Sequence, residues 1–134
     1  MFSIPIRVYY EDTDAGGVVY YANYFKFMER ARTEWLRGLG FEQDELARDP
    51  GVLFAVRSAK LEFLKPARFN DLLETDVTVL ERGRASLTFG QRVRRRDEVL
   101  CEGEVRVACL EVKSFAPCPI PATILSRIDT GATS

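Results

Sequence analysis

Histidine is absent from all 134 residues of the chain. Its absence excludes Ser–His–Asp and Cys–His nucleophile systems, zinc sites that contain histidine, and dehydratases that use a histidine base. Any acid–base or nucleophilic chemistry must therefore be carried by carboxylates.

Cysteine is scarce: the chain has three, an odd number, and none of them lie in CxxC spacing. We therefore expect Cys101, Cys109 and Cys118 to be reduced, buried thiols. No apolar run approaches the roughly 20 residues of a membrane span, and residues 1–5 lack the pattern of a signal peptide. These features predict a soluble protein of the cytoplasm.

The composition is that of an ordinary globular domain, with 46% apolar and 29% charged residues. A chain of this length can bury a core without metal or disulfide cross-links, and residues 1–134 contain no linker or repeat. We expect one domain, in which residues 113–134 form a C-terminal extension and tail. The net charge of −1 gives no reason to expect nucleic acid as a partner.

The segment 7–40 joins a strand, a glycine turn and a helix without a linker. Residues 4–10 are rich in β-branched and aromatic side chains and predict a strand, which the sequence EDTDAGG ends as a turn. From Asn23 onward, apolar residues recur at helical spacing, which predicts a helix of about 15 residues with Asn23 as its N-cap. The free N–H groups of that helix would point back toward the loop that carries Asp14.

The remainder of the chain predicts a short second helix followed by four strands. The helix falls at residues 41–49, and alternation of apolar and polar side chains predicts strands at 52–64, 70–80, 85–94 and 98–110. The last three follow one another through tight turns and predict an antiparallel meander. Residues 123–128 suggest a helical turn before a polar tail that we expect to be disordered. The layout predicts an α+β fold in which a curved antiparallel sheet covers the long helix.

Glu11, Asp12 and Asp14 form the one close carboxylate cluster that lies beside glycines and a helix start. It predicts an acid–base or nucleophilic site. The spacing alone fits a solvated turn with an Asx-type hydrogen bond better. A calcium loop starting at Asp12 would lack its later ligands, and no phosphate-binding glycine motif is present.

Two further groups, the tyrosines beside the loop and the arginines of residues 82–96, can be interpreted either as functional or as purely structural. The tyrosines beside the loop, Tyr10 and Tyr21 above all, can line an acyl or aromatic pocket, although most aromatics there are expected to pack in the core. The arginines of residues 82–96, with Arg82 and Arg84 as the candidates, suit the phosphates of a nucleotide-bearing substrate. Charged strand edges exposed to solvent explain these arginines equally well.

The stretch YYEDTDAGGVVYYANYFKFMERAR closely resembles the signature of hotdog-fold acyl-CoA thioesterases of the 4-hydroxybenzoyl-CoA thioesterase type, in the branch linked to the bacterial Tol-Pal system. The similarity continues through VRSAKLEFLKPARFNDLLE to about residue 112. The resemblance implies a five-stranded antiparallel sheet wrapped around one long helix, and dimers with a continuous sheet that often pair into tetramers. It also implies hydrolysis of an acyl-CoA thioester to a carboxylic acid and free CoA, with no metal or redox cofactor.

Carried onto this chain, the resemblance assigns the catalytic carboxylate to Asp14, the thioester-polarising backbone N–H to Tyr21, and a pocket tyrosine to Tyr10. Many members of this branch have histidine where this chain has Tyr21, whereas the benzoyl-type relatives have tyrosine, so the acyl group stays open. CoA or an acyl-carrier protein can carry the thioester. The alternative function is a non-catalytic hotdog module that binds acyl-CoA or acyl-carrier protein.

Overall fold

The structure, a computed structural model, describes residues 2–128. Its elements in chain order are β1 (Phe2–Arg7), a 3-10 turn (Tyr10–Asp12), α1 (Asn23–Gly38), α2 (Gln43–Arg48), β2 (Val52–Phe63), β3 (Leu72–Arg82), β4 (Ser86–Arg95), β5 (Glu98–Glu111) and α3 (Ala122–Arg127). The tail predicted to be disordered lies outside the described residues from residue 129 onward. The α+β class and the order of the predicted elements are confirmed.

The five strands form one antiparallel sheet in the order β1-β3-β4-β5-β2. Strands β3, β4 and β5 are the predicted meander, joined by tight turns at residues 83–85 and 96–97. The two strands that precede the meander pair with its outer strands, β1 with β3 and β2 with β5. β1 and β2 are therefore the two edges of the sheet.

Helix α1 packs against one face of the sheet, over β1, β3 and β4. Its buried side chains are Asn23, Tyr24, Phe27, Met28, Ala31, Trp35 and Leu36. The indole of Trp35 stands edge-on to Phe89 of β4, with ring centroids 5.1 Å apart. The apolar stripe predicted from the sequence is thus the face that the sheet covers.

Two sequence-based boundaries near the loop are wrong. β1 ends at Arg7 rather than at residue 10, because the backbone N–H of Tyr9 donates to the Asp12 carboxylate at 2.8 Å and the chain turns there. Asn23 is the first residue of α1 and not its N-cap, a position held by Ala22 without a side-chain hydrogen bond. The Asn23 amide instead donates to the backbone oxygen of Asp12, 2.8 Å away.

The three cysteines are free thiols. Cys101 and Cys109 both lie on β5 and are fully buried, and burial raises the pKa of each thiol to about 12. Cys118 is only half-buried, with its sulfur 3.7 Å from that of Cys109. The prediction of burial is therefore confirmed for two of the three.

Within residues 2–128, every helix is too short or too polar to cross a membrane.

Candidate active site

The base of the acidic loop is fixed by Asp12. Its side chain is buried and accepts a hydrogen bond from the Tyr9 N–H, while its backbone oxygen accepts from the Tyr20 N–H at 2.9 Å and from the Asn23 amide. One residue thus ties the strand before the loop to the start of α1 after it. Asp12 therefore has a structural role, because its Oδ2 and its backbone oxygen both hold the chain.

Asp14 lies at the tip of the same loop, exposed to solvent. Its backbone N–H donates to the Val18 oxygen at 2.9 Å, and its backbone oxygen accepts from the Gly17 N–H at 3.0 Å. Gly17 has φ +78°, a conformation that glycine adopts without steric cost. The carboxylate oxygen Oδ1 accepts a hydrogen bond from the Gly16 N–H at 2.8 Å. This is the Asx-type hydrogen bond that the sequence predicted for a solvated turn without a catalytic role. The other oxygen, Oδ2, remains available to a substrate.

A contact distant in sequence holds the second arm of the loop. The Val19 N–H donates to the Ala67 oxygen at 2.8 Å, and the Ala67 N–H donates to the hydroxyl of Tyr24 at 3.1 Å. Burial raises the pKa of the Tyr24 hydroxyl. No pattern in the sequence indicated this tether, since 43 residues separate Tyr24 from Ala67. The loop is therefore anchored on both arms, although its tip is exposed.

The backbone N–H of Tyr21 has no acceptor among residues 2–128. It precedes the first residue of α1 by two positions, within a turn closed by the Asn23 N–H donating to the Tyr20 oxygen at 2.8 Å. Unpaired N–H groups at a helix start lie at the positive end of the helix dipole, where they attract developing negative charge. An unpaired donor thus lies at the position to which the resemblance assigns one.

The side chain of Tyr21 is exposed and stands edge-on to Phe63, with ring centroids 6.0 Å apart. The ring centroids of Tyr21 and Tyr20 lie 4.7 Å apart, and the interaction of the two hydroxyls raises the pKa of the Tyr20 hydroxyl. The side chain therefore borders the loop and has a neighbouring phenol as its partner. This arrangement fits a role in shaping a pocket.

Tyr10 lies on the first arm of the loop and stacks on Phe69, with ring centroids 4.0 Å apart and planes 13° from parallel. The residue as a whole is 76% exposed, and its backbone oxygen accepts hydrogen bonds from Thr13. Phe69 follows the tether at Ala67 by two residues. Tyr10 is thus placed beside the anchored loop as part of an exposed aromatic surface.

Arg82 and Arg84 lie far from the loop within one chain. The loop is tethered beside residue 67, near the start of β3 at Leu72, whereas Arg82 ends that strand ten residues later. Ten residues of strand span about 33 Å. The structure therefore does not bring Arg82 and Arg84 to Asp14 in the same subunit.

Three other arginines of this cluster, Arg92, Arg94 and Arg95, are engaged in ion pairs. Arg92 and Arg94 both pair with the buried carboxylate of Asp76, at 3.2 and 3.4 Å. Arg95 pairs with Asp71 at 2.7 Å and with Glu98 at 2.6 Å. Carboxylates before, on and beyond the hairpin strands thus already pair with these three arginines.

The chain is similar to known thioesterases in sequence and in structure. A family model described as the thioesterase superfamily matches residues 16–102. The acyl-CoA thioesterase YbgC of Haemophilus influenzae is 42% identical over 92% of this chain and 90% of its own length. The acyl-CoA thioester hydrolase YbgC of Escherichia coli O157:H7 is 44% identical over 95% of both chains.

A probable thioesterase from Bartonella henselae has a similar crystal structure, with a TM-score of 0.85 at 32% identity. The superposition covers 89% of this chain and 98% of that one. Together with the observed strand order, this likeness confirms the predicted hotdog fold. The chain belongs to the thioesterase superfamily.

Proposed function

We propose that the protein hydrolyses acyl-CoA thioesters to a carboxylic acid and free CoA, with Asp14 as the reacting carboxylate. The observation that carries the proposal is the loop itself: an exposed carboxylate and an unpaired backbone N–H, that of Tyr21, lie on one segment anchored on both arms. The family match begins two residues after Asp14, so the role of this residue rests on geometry and on the resemblance of its motif.

The Tyr21 N–H would polarise the thioester carbonyl and stabilise the oxyanion that forms on it. A backbone donor aimed at a developing charge is typically worth about 2.7–4 kcal/mol of barrier. Because this donor belongs to the main chain, the difference between tyrosine and histidine at position 21 leaves the reaction possible. The side chain would then affect the choice of acyl group.

Asp14 has two possible parts in the reaction. As a nucleophile, its carboxylate attacks the carbonyl carbon, CoA leaves as the thiolate, and water hydrolyses the resulting mixed anhydride. As a general base, it takes a proton from water, whose oxygen attacks the carbonyl directly. A single turnover in H₂¹⁸O tests for the nucleophile. If water attacks the Asp14 carbonyl of the anhydride, the acid carries ¹⁶O from Asp14 and the ¹⁸O is found in Asp14, which a general base does not produce. Direct attack of water, or attack on the acyl carbonyl of the anhydride, places ¹⁸O in the acid, so unlabelled acid is the diagnostic result.

A panel of acyl-CoA substrates with detection of the free thiol tests the proposal as a whole. We expect turnover of at least one aliphatic or aromatic acyl-CoA, and the same acyl groups on acyl-carrier protein establish which carrier is used. Tight binding of acyl-CoA without release of thiol would support the alternative, a non-catalytic binding module. The reduced thiols and the CoA substrate both fit the cytoplasm.

The protein is proposed to form at least a dimer through β2. This strand has 12 residues at the edge of the sheet, and much of its surface is exposed, including Val56 and Phe63. The other edge, β1, has six residues and contains Pro5, which disfavours strand addition. A monomeric mass by light scattering at micromolar concentration would contradict pairing.

Arg82 and Arg84 are proposed to bind CoA phosphates on the active site of another subunit, since they lie at the wrong end of β3 for their own. Replacing either by alanine should raise KM for a CoA thioester with little change in kcat. The matched control is a pantetheine thioester, which lacks the nucleotide phosphates. Equal KM values for the two thioesters in the unsubstituted protein would show that these arginines do not bind the CoA phosphates.

A further inference from the structure

A groove runs along α1 on the side that faces β2 and β5. Because α1 lies over β1, β3 and β4, the sheet extends past the helix on this side. The deeper part is a cavity of about 260 Å³ whose apolar wall includes Phe54, Leu87, Phe89 and Val107. A cavity of this size accommodates an acyl or aryl group of moderate size.

The groove reaches from this cavity to the start of α1. An adjoining, more open cavity shares Glu29, Arg32 and Val56 with the deeper one and continues to Phe25. Phe25 lies one helical turn after Tyr21, whose backbone N–H is the proposed oxyanion donor. The open cavity thus ends about 6 Å along the helix axis from that donor, and an acyl group bound at the loop would extend along the helix toward it.

Arg32 is the cation that both cavities share, and among the described residues it has no ion pair, although Glu29, one helical turn earlier, exerts an attractive Coulombic effect on it. Its side chain is half-buried, and its single hydrogen bond among the described residues runs from Nη1 to Oε1 of Gln91, at 2.9 Å. Every carboxylate of residues 2–128 lies beyond ion-pair distance of this guanidinium. A guanidinium has five N–H donors, so most of them remain available in the groove.

The position of Arg32 is fixed by Gln91, which is 1% exposed. The Gln91 amide nitrogen donates to the backbone oxygens of Met28 at 3.0 Å and Asp76 at 3.3 Å. Those two bonds orient the amide oxygen toward Arg32. The guanidinium is thus held in place before any ligand arrives, which lowers the entropic cost of binding one.

The charges around the groove favour an anion. Lys26, Arg30 and Arg32 line the open part, whereas Glu29 is the one carboxylate among its lining residues. The Glu29 carboxylate accepts a hydrogen bond from the Thr33 hydroxyl at 2.8 Å and so already has a partner. A half-buried guanidinium gains most from a carboxylate, whose two oxygens match its planar donors.

We propose that Arg32 determines substrate specificity by binding a carboxylate at the far end of the acyl group, so that the preferred substrates are CoA monothioesters of dicarboxylic acids. The inference rests on the proposed thioesterase activity. Tyr21 and Arg32 are 11 residues apart, about 16 Å along a helix, and a long helical side chain points back toward the N-terminus. The remaining gap corresponds to an acyl chain of about six to ten carbons.

The test compares two acyl groups of equal length, the eight-carbon ω-carboxyl thioester suberyl-CoA and its methyl-ended counterpart octanoyl-CoA. We expect kcat/KM to favour suberyl-CoA by about tenfold or more, as a bidentate charge-assisted contact would. In Arg32→Met this ratio should fall to about one. Arg32→Lys, which keeps a charge but not the planar fork, should give an intermediate ratio.

The matched control is Arg37→Met, because Arg37 is an exposed, ion-paired arginine of the same helix. It should keep the unsubstituted ratio.

The possible failures are distinguishable. If no acyl-CoA releases thiol, the proposed hydrolysis is wrong, and calorimetric Kd values for the same two thioesters still test Arg32. If thiol is released but the ratio is near one, or does not change in Arg32→Met and Arg32→Lys, the assignment of Arg32 is overturned. An equal loss with both thioesters would indicate a purely structural role through Gln91. A fall in oligomer mass in Arg32→Met at an unchanged ratio would identify Arg32 as a subunit contact, which also overturns the proposal.

Discussion

The Oδ1 atom of Asp14 accepts a 2.8 Å hydrogen bond from the backbone N–H of Gly16, two residues later. The loop therefore orients its exposed carboxylate while one oxygen stays open to solvent. A β-carbon added at Gly16 would lie 3.2 Å from that bonded oxygen. A side chain at Gly16 would therefore require the Asp14 carboxylate to shift by a few tenths of an ångström, which ties this glycine to how the carboxylate is presented.

Gly17→Ala should destabilise the protein and lower its activity. Gly17 has φ +78°, and a β-carbon added there would have no atom within 4 Å, so the penalty is backbone strain of about 1–2 kcal/mol rather than a clash. Thermal unfolding and thiol release measure the two effects. Gly17→Asn is the matched control, because asparagine tolerates this conformation better and should recover part of both losses. An alanine variant as stable and active as the parent would show that the turn relaxes without affecting Asp14.

Tyr21→Phe should keep hydrolysis and change the ranking of acyl groups. The substitution keeps the main-chain donor, and the lost hydroxyl is the partner of Tyr20. We expect less than about a tenfold loss of kcat on the best substrate, or no more than roughly 1.4 kcal/mol of barrier.

Tyr20→Phe is the control for Tyr21→Phe, because it ends the same contact by removing the hydroxyl of Tyr20 instead of that of Tyr21. Removal of an oxyanion-hole donor usually costs about 10²–10³ in kcat. A uniform loss of that size in Tyr21→Phe, absent from Tyr20→Phe, would mean that the Tyr21 hydroxyl takes part in catalysis.

The sequence predicted those parts of the fold that depend on local periodicity. The apolar stripe of α1 and the alternation in β3 and β4 correspond to faces that are buried, because each pattern repeats within a single element. The end of β1 and the role of Asn23 were predicted wrongly, because both depend on hydrogen bonds to Asp12. Those bonds form only when the loop closes on itself.

The site was predictable in part for the same reason. Asp14 and the Tyr21 N–H belong to one short segment, so their proximity to a helix start follows from local order. The tether from Tyr24 to Ala67 and the hydrogen bond from Arg32 to Gln91 join residues 43 and 59 positions apart. No spacing in a single sequence encodes such contacts. The arginine cluster misled for the same reason: the sequence shows the positive charges, whereas Asp76, which pairs with Arg92 and Arg94, is on another strand.

Stability should fall at alkaline pH because of the buried thiol of Cys101. Burial raises its pKa to about 12 in the folded state, whereas an unfolded cysteine titrates near about 8.5. Above the unfolded value the unfolded chain loses a proton that the folded protein keeps, so stability is lost as pH rises from about 8.5 toward 12. Between pH 8 and pH 10 this one thiol should contribute a loss of about 2 kcal/mol.

The measurement is the free energy of unfolding in urea at the two pH values. Cys101→Ala should be less stable than the parent at pH 8 but lose about 2 kcal/mol less between pH 8 and pH 10. An identical loss in both proteins would show that the Cys101 thiol does not titrate on unfolding.

The central claim is that Asp14 carries the chemistry, and the turnover of Asp14→Asn tests it most directly. Asparagine keeps an oxygen for the Gly16 N–H, so the loop should retain its shape while the reacting carboxylate is lost. Glu11→Gln is the matched control, because it removes one negative charge from an exposed residue of the same loop. With folding of both variants verified by thermal unfolding, we expect kcat for thiol release to fall about 10²–10⁴-fold in Asp14→Asn and to stay within a few-fold of the parent in Glu11→Gln. Turnover by a folded Asp14→Asn within about tenfold of the parent would contradict the account.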